Sequence, residues 1–220
     1  MTMHIAMLLF PQVTLLDLVG PLEVFHRIPD AKVHLVWKDA QPVPADSGFA
    51  MLPTATFADV PPADVLFVPG GAGQIPLMED AEAIDFLQRQ AARAAYVTSV
   101  CTGSLLLGAA GLLRGYRAAT HWAFMDLLPA VGAIPVDERV VVDRNRVTAG
   151  GVTAGIDFGL RIAAELVNES FAKRVQLALE YDPAPPFASG HPRSAAPDDV
   201  AAVRSAWSQN HARRAKFLAG

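Results

Sequence analysis

Residues 95–113 read AYVTSVCTGSLLLGAAGLL and join a predicted strand to a predicted helix through a single cysteine. Residues 95–100 are typical of a buried strand, and residues 102–113 are typical of a helix. Cys101 lies between the two elements, where the first N–H groups of the helix point at the thiol. Those groups and the helix dipole favour a thiolate over a thiol. Because a thiolate is a nucleophile, this turn predicts an enzyme with a covalent step.

Predicted strands and helices alternate along the chain on both sides of this turn. The strands are expected over residues 4–10, 32–38, 65–68, 95–100 and 117–120, with a β-hairpin over 140–148. The helices are expected over residues 17–27, 82–93, 102–113, 123–128, 155–167 and 171–180. Residues 41–58, which carry prolines, are expected to form a hairpin or an excursion. This alternation predicts an α/β fold, with a mostly parallel sheet covered by helices on both faces.

Three loops that follow predicted strands are candidates for a binding site. They are residues 11–16, residues 69–73 with the sequence PGGAG, and the turn at Cys101. Mostly parallel sheets bind ligands at the carboxyl ends of their strands. If the three strands are neighbours, the loops should therefore cluster at one edge of the sheet.

The composition favours one well-buried globular domain. The chain has 220 residues, of which 52% are hydrophobic and 18% charged, and its net charge of −4 predicts neither a nucleic-acid partner nor a membrane partner. The longest apolar run, residues 105–113, is too short to cross a bilayer. The apolar N-terminus lacks a basic lead and a cleavage site, so it is interpreted as a strand and not as a signal peptide. One cysteine cannot form an internal disulfide, which predicts a cytoplasmic protein.

The end of the chain differs in character from the rest. Residues 1–182 are expected to form the domain, and residues 183–220 a connector and a C-terminal helix. The connector is rich in proline, and the helix is predicted over residues 198–218. We expect this segment to pack on its own domain or on a partner subunit.

Cys101, Gly70 and Gly71 each allow a structural and a functional interpretation. A buried cysteine often packs as a small hydrophobic residue, but the strand–Cys–Thr–Gly–Ser–helix context favours a nucleophile. The two glycines fit a tight turn that needs an unusual backbone conformation. They also fit an oxyanion or ligand cradle of N–H groups, joined by the amide of Thr102.

Asp17 and His121 are the candidate acid and base. Asp17 lies at the start of a predicted helix, where it could be an N-cap or a carboxyl group that exchanges protons with the thiol. Glu23 follows six residues later, and the spacing does not decide which acid faces Cys101. His121 ends a predicted strand and could be a base for the cysteine or a histidine with a structural hydrogen bond.

A further candidate segment contains Gly150, Gly151 and Thr153. It follows the predicted hairpin and precedes a helix, so Thr153 could be only an N-cap. The two glycines could also let the backbone approach a ligand or let the helix shift. The remaining histidines are scattered without the spacing of metal ligands, so no metal site is predicted.

Taken together, these stretches resemble the ThiJ/PfpI superfamily of class I glutamine amidotransferase-like proteins. The similar stretches are VLFVPGG at 65–71, VTSVCTGS at 97–104 and ATHW at 119–122, in order within residues 3–180. Within the superfamily, TLLDLVGPLEV at 14–24 and SVCTGSLLLGAAGLLRG at 99–115 are most similar to the isonitrile hydratases. The combination of stretches is specific, whereas any one of them alone would not be.

The resemblance implies a flavodoxin-like three-layer sandwich and a homodimer with its cysteine on a nucleophile elbow. It implies a hydro-lyase that hydrates a small-molecule isonitrile to an N-substituted formamide. Our hypothesis for the mechanism is a thioimidate on Cys101, with no metal or organic cofactor. By similarity, Cys101 matches the nucleophile and Asp17 its acidic partner. Thr102 matches the residue whose amide and hydroxyl serve the site, and Gly71 matches the amide donor of the facing loop.

Two features depart from other branches of the superfamily. Peptidase-like members have a histidine directly after the cysteine, where this chain has Thr102. Members that regulate transcription carry a helix-turn-helix domain after the amidotransferase-like part, and about 40 residues after position 180 are too few for one. The alternatives that stay open are a cysteine-based redox or small-molecule sensor and an enzyme that acts on reactive aldehydes such as methylglyoxal.

Overall fold

The computed structural model describes residues 2–218. Its strands, in chain order, are β1 (Met3–Leu8), β2 (Ala31–Trp37), β3 (Val43–Pro44), β4 (Ala50–Met51), β5 (Ala55–Thr56), β6 (Val65–Val68), β7 (Tyr96–Val100), β8 (Arg117–Ala118), β9 (Ile134–Pro135), β10 (Val140–Asp143) and β11 (Arg146–Ala149). Seven of them form one sheet in the order β10-β11-β7-β6-β1-β2-β5. All neighbours in this sheet are parallel except β10 and β11. The predicted mostly parallel sheet is therefore confirmed.

Seven α-helices and one long 3-10 helix accompany the strands within the described residues. The α-helices are α1 (Leu15–Phe25), α2 (Gln74–Leu77), α3 (Ala81–Ala91), α4 (Gly103–Ala109), α5 (Ala154–Leu166), α6 (Glu169–Ala178) and α7 (Pro197–Leu218), and the 3-10 helix is Trp122–Val131. Helices α1 and α5 pack together, whereas α3 and α4 pack against β6 and, for α4, β7. The predicted three-layer α/β sandwich is confirmed.

The direction of chain winding reverses between β1 and β6. From β1 the chain passes through α1 to β2 on one side, and from β6 it passes through α3 to β7 on the other side. The crevice at the carboxyl ends of such strands is the usual ligand site of an open parallel sheet. The loops after β1, β6 and β7 therefore meet at the place where the fold favours a site.

The core explains why these strands are continuous apolar runs. All four residues of β6 are buried, and β1 is buried over its last four positions. Parallel strands covered on both faces need apolar side chains on both faces. Phe25 of α1, Phe67 of β6 and Phe158 of α5 form an aromatic cluster with ring centroids 5.5–6.0 Å apart. This cluster fixes α1, and thus its first turn, against the sheet.

Several predicted boundaries are wrong. The strand predicted over 117–120 covers only Arg117–Ala118 and pairs with β9 in a separate two-stranded sheet. Beyond it, the Ala119 N–H donates to the Thr148 hydroxyl, so that backbone position leaves the ladder. The helix predicted over 102–113 ends at Ala109, and Gly111 adopts a left-handed φ of 77°.

The remaining predictions differ from the structure in smaller ways. Residues 41–58 form the hairpin of β3 and β4 and then the edge strand β5 of the main sheet. The hairpin over 140–148 is confirmed as β10 and β11. The helix predicted over 123–128 is the longer 3-10 helix, and α2 was not predicted. Helix α7 packs on the 3-10 helix of its own chain. No helix within residues 2–218 is long and apolar enough to cross a membrane.

Candidate active site

Cys101 lies on a sharp turn whose backbone is held from several directions. Its φ of 52° lies in the left-handed region, which non-glycine residues seldom adopt. Its N–H donates to the Ala149 carbonyl at 3.1 Å and to the Gly150 carbonyl at 2.9 Å. Its own carbonyl accepts from the hydroxyls of Thr120 at 2.8 Å and Ser104 at 3.2 Å. These bonds hold the predicted elbow in a conformation that would otherwise be unfavourable.

Gly70 allows the loops around Cys101 to approach each other closely. A Cβ atom at Gly70 would lie 2.7 Å from the Asp17 Oδ2, 2.7 Å from the Cys101 Cβ and 2.8 Å from the Thr102 nitrogen. No side chain fits between these three groups. The predicted cluster of the three loops is therefore confirmed, and the backbone at Gly70 lies at its centre.

Asp17 is the acid that faces the cysteine. Its side chain is fully buried, and neither carboxylate oxygen has a well-formed hydrogen bond within residues 2–218. Burial raises the pKa of Asp17 from 3.8 to about 7, and the nearby Cys101 thiol and Gly70 N–H act in the opposite direction. The N-cap interpretation is wrong, because helix α1 has Thr14 as its N-cap and Asp17 is its third residue. Glu23 is solvent-exposed and paired with Arg27, so it lies outside the site.

The resting cysteine is a thiol, contrary to the expectation of a thiolate. Burial raises the pKa of Cys101 well above 9.0, and the negative charge of Asp17 raises it further. The amides of Thr102 and Val152 act on the sulfur in the predicted direction and lower the pKa, but burial outweighs them. Cys101 thus keeps its proton on both sides of neutral pH, whereas Asp17 loses its proton as the pH rises through about 7.

Thr102 connects the cysteine turn to the loop after β6. The Gly71 N–H donates to the Thr102 hydroxyl at 3.2 Å, and the Gln74 side-chain amide donates to the Thr102 carbonyl at 3.2 Å. The Gly71 N–H, the predicted amide donor of the facing loop, is thus bonded to Thr102 in this structure. Gly71 has a φ of 134°, and a Cβ there would lie 2.5 Å from the Gln12 carbonyl oxygen. The N–H groups that lower the pKa of Cys101 belong to Thr102 and Val152.

His121 has a structural hydrogen bond and is not paired with the cysteine. It is the N-cap of the 3-10 helix, where its Nδ1 accepts from the Ala123 N–H at 3.2 Å. This bond leaves the imidazole proton on Nε2. Burial, aided by the charge of Arg214, lowers the pKa of His121 to about 4, so the ring is neutral at physiological pH. It packs against Gly151, where a Cβ would lie 2.0 Å from the imidazole Cδ2.

A cavity of about 470 Å³ lies beside the turn at Cys101. Its lining includes Gly150, Gly151, Val152 and Thr153, together with Thr120, His121, Trp122 and Met125. Because Gly150 lines the cavity and its carbonyl accepts from the Cys101 N–H at 2.9 Å, the cavity lies next to the cysteine turn. The lining also contains residues 136–139 and the connector residues Gly190, His191 and Arg193. The cavity can thus hold a small molecule beside the cysteine turn.

The glycine segment and Thr153 belong to this cavity. Thr153 occupies the N-cap position of α5 but makes no capping hydrogen bond, and its hydroxyl instead accepts from Arg139 at 3.3 Å. Arg139 also donates to Asp157 at 2.7 Å, which fixes the rim of the cavity. Gly150 holds the cysteine turn through its carbonyl, and its N–H donates to the Arg139 carbonyl at 3.0 Å.

Two contributors to the site were not found by sequence reasoning. The Val152 amide gives no signal in the sequence, because any residue supplies an N–H. Arg214 of α7 is 3% exposed and donates to the Gly71 carbonyl at 3.0 Å. The sequence predicts a helix over residues 198–218 but does not indicate which of its side chains reaches the site. Within the described part of the chain, no three His, Cys, Asp or Glu side chains are grouped as a metal site would require.

Comparison with known proteins yields a family and several relatives. The DJ-1/PfpI family profile matches residues 3–165. The isonitrile hydratase of Pseudomonas putida is 61% identical over 195 residues, which cover 89% of this chain and 86% of that protein. The HTH-type transcriptional regulator GbdR of Pseudomonas aeruginosa is 33% identical over 158 residues, which cover 70% of this chain and 43% of the regulator.

A solved structure is similar over almost the whole chain. The crystal structure of a ThiJ/PfpI family protein from Pseudomonas syringae has a TM-score of 0.97 and 45% sequence identity to this chain. The match covers 99% of this chain and 91% of that chain. It therefore includes helix α7 as well as the sheet, with both elements in a single solved chain.

Proposed function

Because this chain belongs to the DJ-1/PfpI family and places a buried acid beside its only cysteine, we propose that it is an isonitrile hydratase. The reaction converts an isonitrile, R–N≡C, and water into an N-substituted formamide. The observation that carries the proposal is the buried Asp17 carboxyl beside the Cys101 side chain, next to a cavity of about 470 Å³. The high identity to the Pseudomonas putida isonitrile hydratase supports the choice of substrate.

The first step adds the thiol across the isonitrile carbon. The Asp17 carboxylate accepts the proton of Cys101 as the sulfur forms its bond to that carbon. The proton then passes from Asp17 to the carbon lone pair, and one C–N π bond becomes the nitrogen lone pair. The product is a thioimidate, R–N=CH–S–Cys101, and Asp17 is a carboxylate again. The N–H groups of Thr102 and Val152 stabilise the negative charge on sulfur while it exists.

The second step hydrolyses the thioimidate. Asp17 accepts a proton from water as the oxygen adds to the thioimidate carbon, and the proton passes to the nitrogen. The C–S bond then breaks, and the hydroxyl proton returns to the sulfur through Asp17. The products are R–NH–CHO and the resting thiol. A pKa of about 7 suits an acid that must both accept and donate protons near neutral pH.

The side chains of Trp122 and Met125 in the cavity lining suit an uncharged, apolar R group, and the lining also includes charged residues at positions 137–139 and 193. The R group lies in the cavity, next to the side chains of Trp122 and Met125 and the backbone of Gly150 and Gly151. The neutral imidazole of His121 forms part of the same wall and takes no proton in the reaction. All proton transfers are assigned to Asp17, and the proposed reaction uses no cofactor.

Turnover of cyclohexyl isocyanide tests this function directly. We expect wild-type protein to form N-cyclohexylformamide and Cys101→Ala to form none, with mass spectrometry detecting a thioimidate adduct only on wild-type protein. Methylglyoxal is assayed in parallel, and far-UV circular dichroism checks the fold of the variant. Formamide production by Cys101→Ala at the wild-type rate would disprove the nucleophile. Consumption of methylglyoxal without any formamide would favour the aldehyde-directed alternative.

We further propose a homodimer that functions in the cytoplasm. Phe49 and Leu52, which are 69% and 62% exposed, lie beside the β3–β4 hairpin and give it an apolar surface. The hairpin also contacts the loop after β1, because the Gln12 N–H donates to the Pro44 carbonyl at 2.8 Å. A second subunit covering this surface would thus support the loop that precedes Asp17. Light scattering of the purified protein tests the dimer, and a monomer mass would disprove it.

A further inference from the structure

Helix α7 brings a buried arginine to the cysteine site. Arg214 lies 112 residues beyond Thr102 in the chain, yet its side chain is only 3% exposed and its Nη2 lies 3.4 Å from the Thr102 hydroxyl oxygen. The same nitrogen donates to the Gly71 carbonyl at 3.0 Å. One guanidinium thus touches both loops that bracket the thiol.

The charge of Arg214 has no carboxylate partner within residues 2–218. Its Nε has no hydrogen-bond partner there, and Nη1 reaches only the carbonyl of Asn210 in its own helix, at 3.4 Å. The guanidinium lies 4.5 Å from the centroid of the Phe124 ring, and this cation–π contact offsets part of the cost of burial. Burial of a charge without a counter-ion destabilises the folded protein, so the presence of Arg214 here indicates that its charge has a function.

The titratable groups that face Arg214 identify that use. Burial lowers the pKa of Arg214 to about 10, so the guanidinium stays charged at neutral pH, and Cys101 is the group that favours its charged form. Arg213 repels it, and His121 is kept neutral partly by it. Of these neighbours, only Cys101 becomes an anion during the proposed reaction.

We propose that Arg214 is a positioning residue of this site, which holds the Gly71 carbonyl and the Thr102 hydroxyl in place and stabilises the anionic sulfur through its charge. The inference rests on the proposed function for its chemical purpose, but its geometry does not depend on the substrate. By fixing Thr102, the guanidinium keeps the Thr102 amide directed at the sulfur. The positive charge of Arg214 attracts the anionic sulfur of Cys101, in addition to the effect of the Thr102 and Val152 N–H groups.

The packing of α7 explains how the guanidinium is held. Trp207, His211 and Arg214 share one helix face, because their spacing of four and three residues brings them into line. The Trp207 ring lies 4.5 Å from that of His121, and His211 bonds to Asp126 at 2.9 Å. The helix is therefore fixed along the 3-10 helix by its neighbours, which places Arg214 in advance of substrate binding.

Alkylation of Cys101 by iodoacetamide tests the proposal without any isonitrile. In Arg214→Met, we expect the pH midpoint of alkylation to rise by about one unit and the rate at pH 8 to fall about tenfold, as loss of a nearby opposite charge predicts. Arg213→Met is the matched control, because Arg213 is the exposed arginine next to it. We expect this control to keep the wild-type midpoint.

A purely structural role would give a different result. If α7 only covered the site, Arg214→Met would expose the sulfur, and alkylation would be faster while its pH midpoint stayed unchanged. Either faster alkylation or an unchanged midpoint overturns the proposal. Arg214→Lys keeps the charge but cannot bridge both acceptors, so we expect a wild-type midpoint with a several-fold lower kcat/KM for the isonitrile. If Arg214→Met does not fold, Arg214→Lys provides the test. A pH midpoint of alkylation that lies about one unit above that of wild type in Arg214→Lys would then overturn the proposal. A wild-type protein that fails to turn over isonitrile, while Arg214→Met still shifts the midpoint, refutes only the proposed function.

Discussion

Replacing Asp17 by asparagine should stabilise the protein above neutral pH while it abolishes activity. The native state binds the Asp17 proton more tightly than the unfolded chain, because burial raises the pKa of this carboxyl from 3.8 to about 7. When the pKa of an acid is higher in the folded protein than in the unfolded chain, the free energy of unfolding falls as the pH rises from the unfolded to the folded pKa. The ionised Asp17 of wild-type protein is therefore a destabilising group at pH 8, whereas the asparagine of the variant carries no charge to bury.

The magnitude follows from the pKa difference. Each unit corresponds to about 1.4 kcal/mol, so the change from 3.8 to about 7 removes about 4 kcal/mol from the free energy of unfolding above pH 7. Between pH 5 and pH 8 alone, the loss is about 2–3 kcal/mol. An unpartnered asparagine amide costs about 1–3 kcal/mol at every pH, so the pH dependence is a sharper quantity than stability at one pH.

Urea unfolding at pH 5 and pH 8 measures this difference. We expect the change in stability between the two pH values to be more favourable in Asp17→Asn by about 2–3 kcal/mol, which is about 4–12 °C in Tm for a chain of this size. His121, whose lowered pKa acts in the opposite direction over the acid range, is present in both proteins and cancels. Glu23→Gln is the control, because Glu23 lies on the same helix but is exposed and has a lowered pKa. Parallel curves for wild type and Asp17→Asn would refute the argument.

Two further predictions concern catalysis. The kcat/KM for isonitrile should rise with pH through about 7, because the Asp17 carboxyl must be ionised to accept the thiol proton. Initial rates from pH 5 to pH 9 measure this dependence, and a kcat/KM that falls across that range would contradict it. Gly70→Ala should lower kcat/KM at least tenfold and destabilise the fold by about 1–3 kcal/mol, because its Cβ would lie within 2.8 Å of Asp17, Cys101 and Thr102. Gly20→Ala, whose Cβ would meet no atom nearer than 3.4 Å, is the control, and equal effects in the two variants would argue against this close approach.

The fold was predictable because its signals are local. Apolar runs such as VLFV at 65–68 predicted buried strands, and the alternation of strands and helices predicted a parallel sheet. Because mostly parallel sheets bind ligands at the carboxyl ends of their strands, the loops after β1, β6 and β7 were expected to lie together, and Asp17, Gly70 and Cys101 do meet there. The choice between Asp17 and Glu23 needed coordinates, since both positions are compatible with the same helix.

The predicted ionisation of Cys101 failed for a physical reason. A sequence shows that amides follow the cysteine, but it does not show how much water reaches the sulfur. In the structure the thiol is 5% exposed, and burial raises its pKa more than the Thr102 and Val152 amides lower it. Arg214 could not be assigned either, because its contact with Gly71 spans 143 residues and depends on how α7 packs.

Three unfavourable features of the molecule lie close together. Cys101 has a left-handed φ, Asp17 is buried without a well-formed hydrogen bond, and Arg214 is a buried charge without a carboxylate partner among the described residues. Each feature alone reduces stability, and all three surround the same sulfur. A core selected only for stability would replace the acid and the arginine with apolar side chains. Their burial instead puts the pKa of the acid near neutral pH and leaves the guanidinium charge for the sulfur, and the proposed addition of Cys101 to an isonitrile uses both.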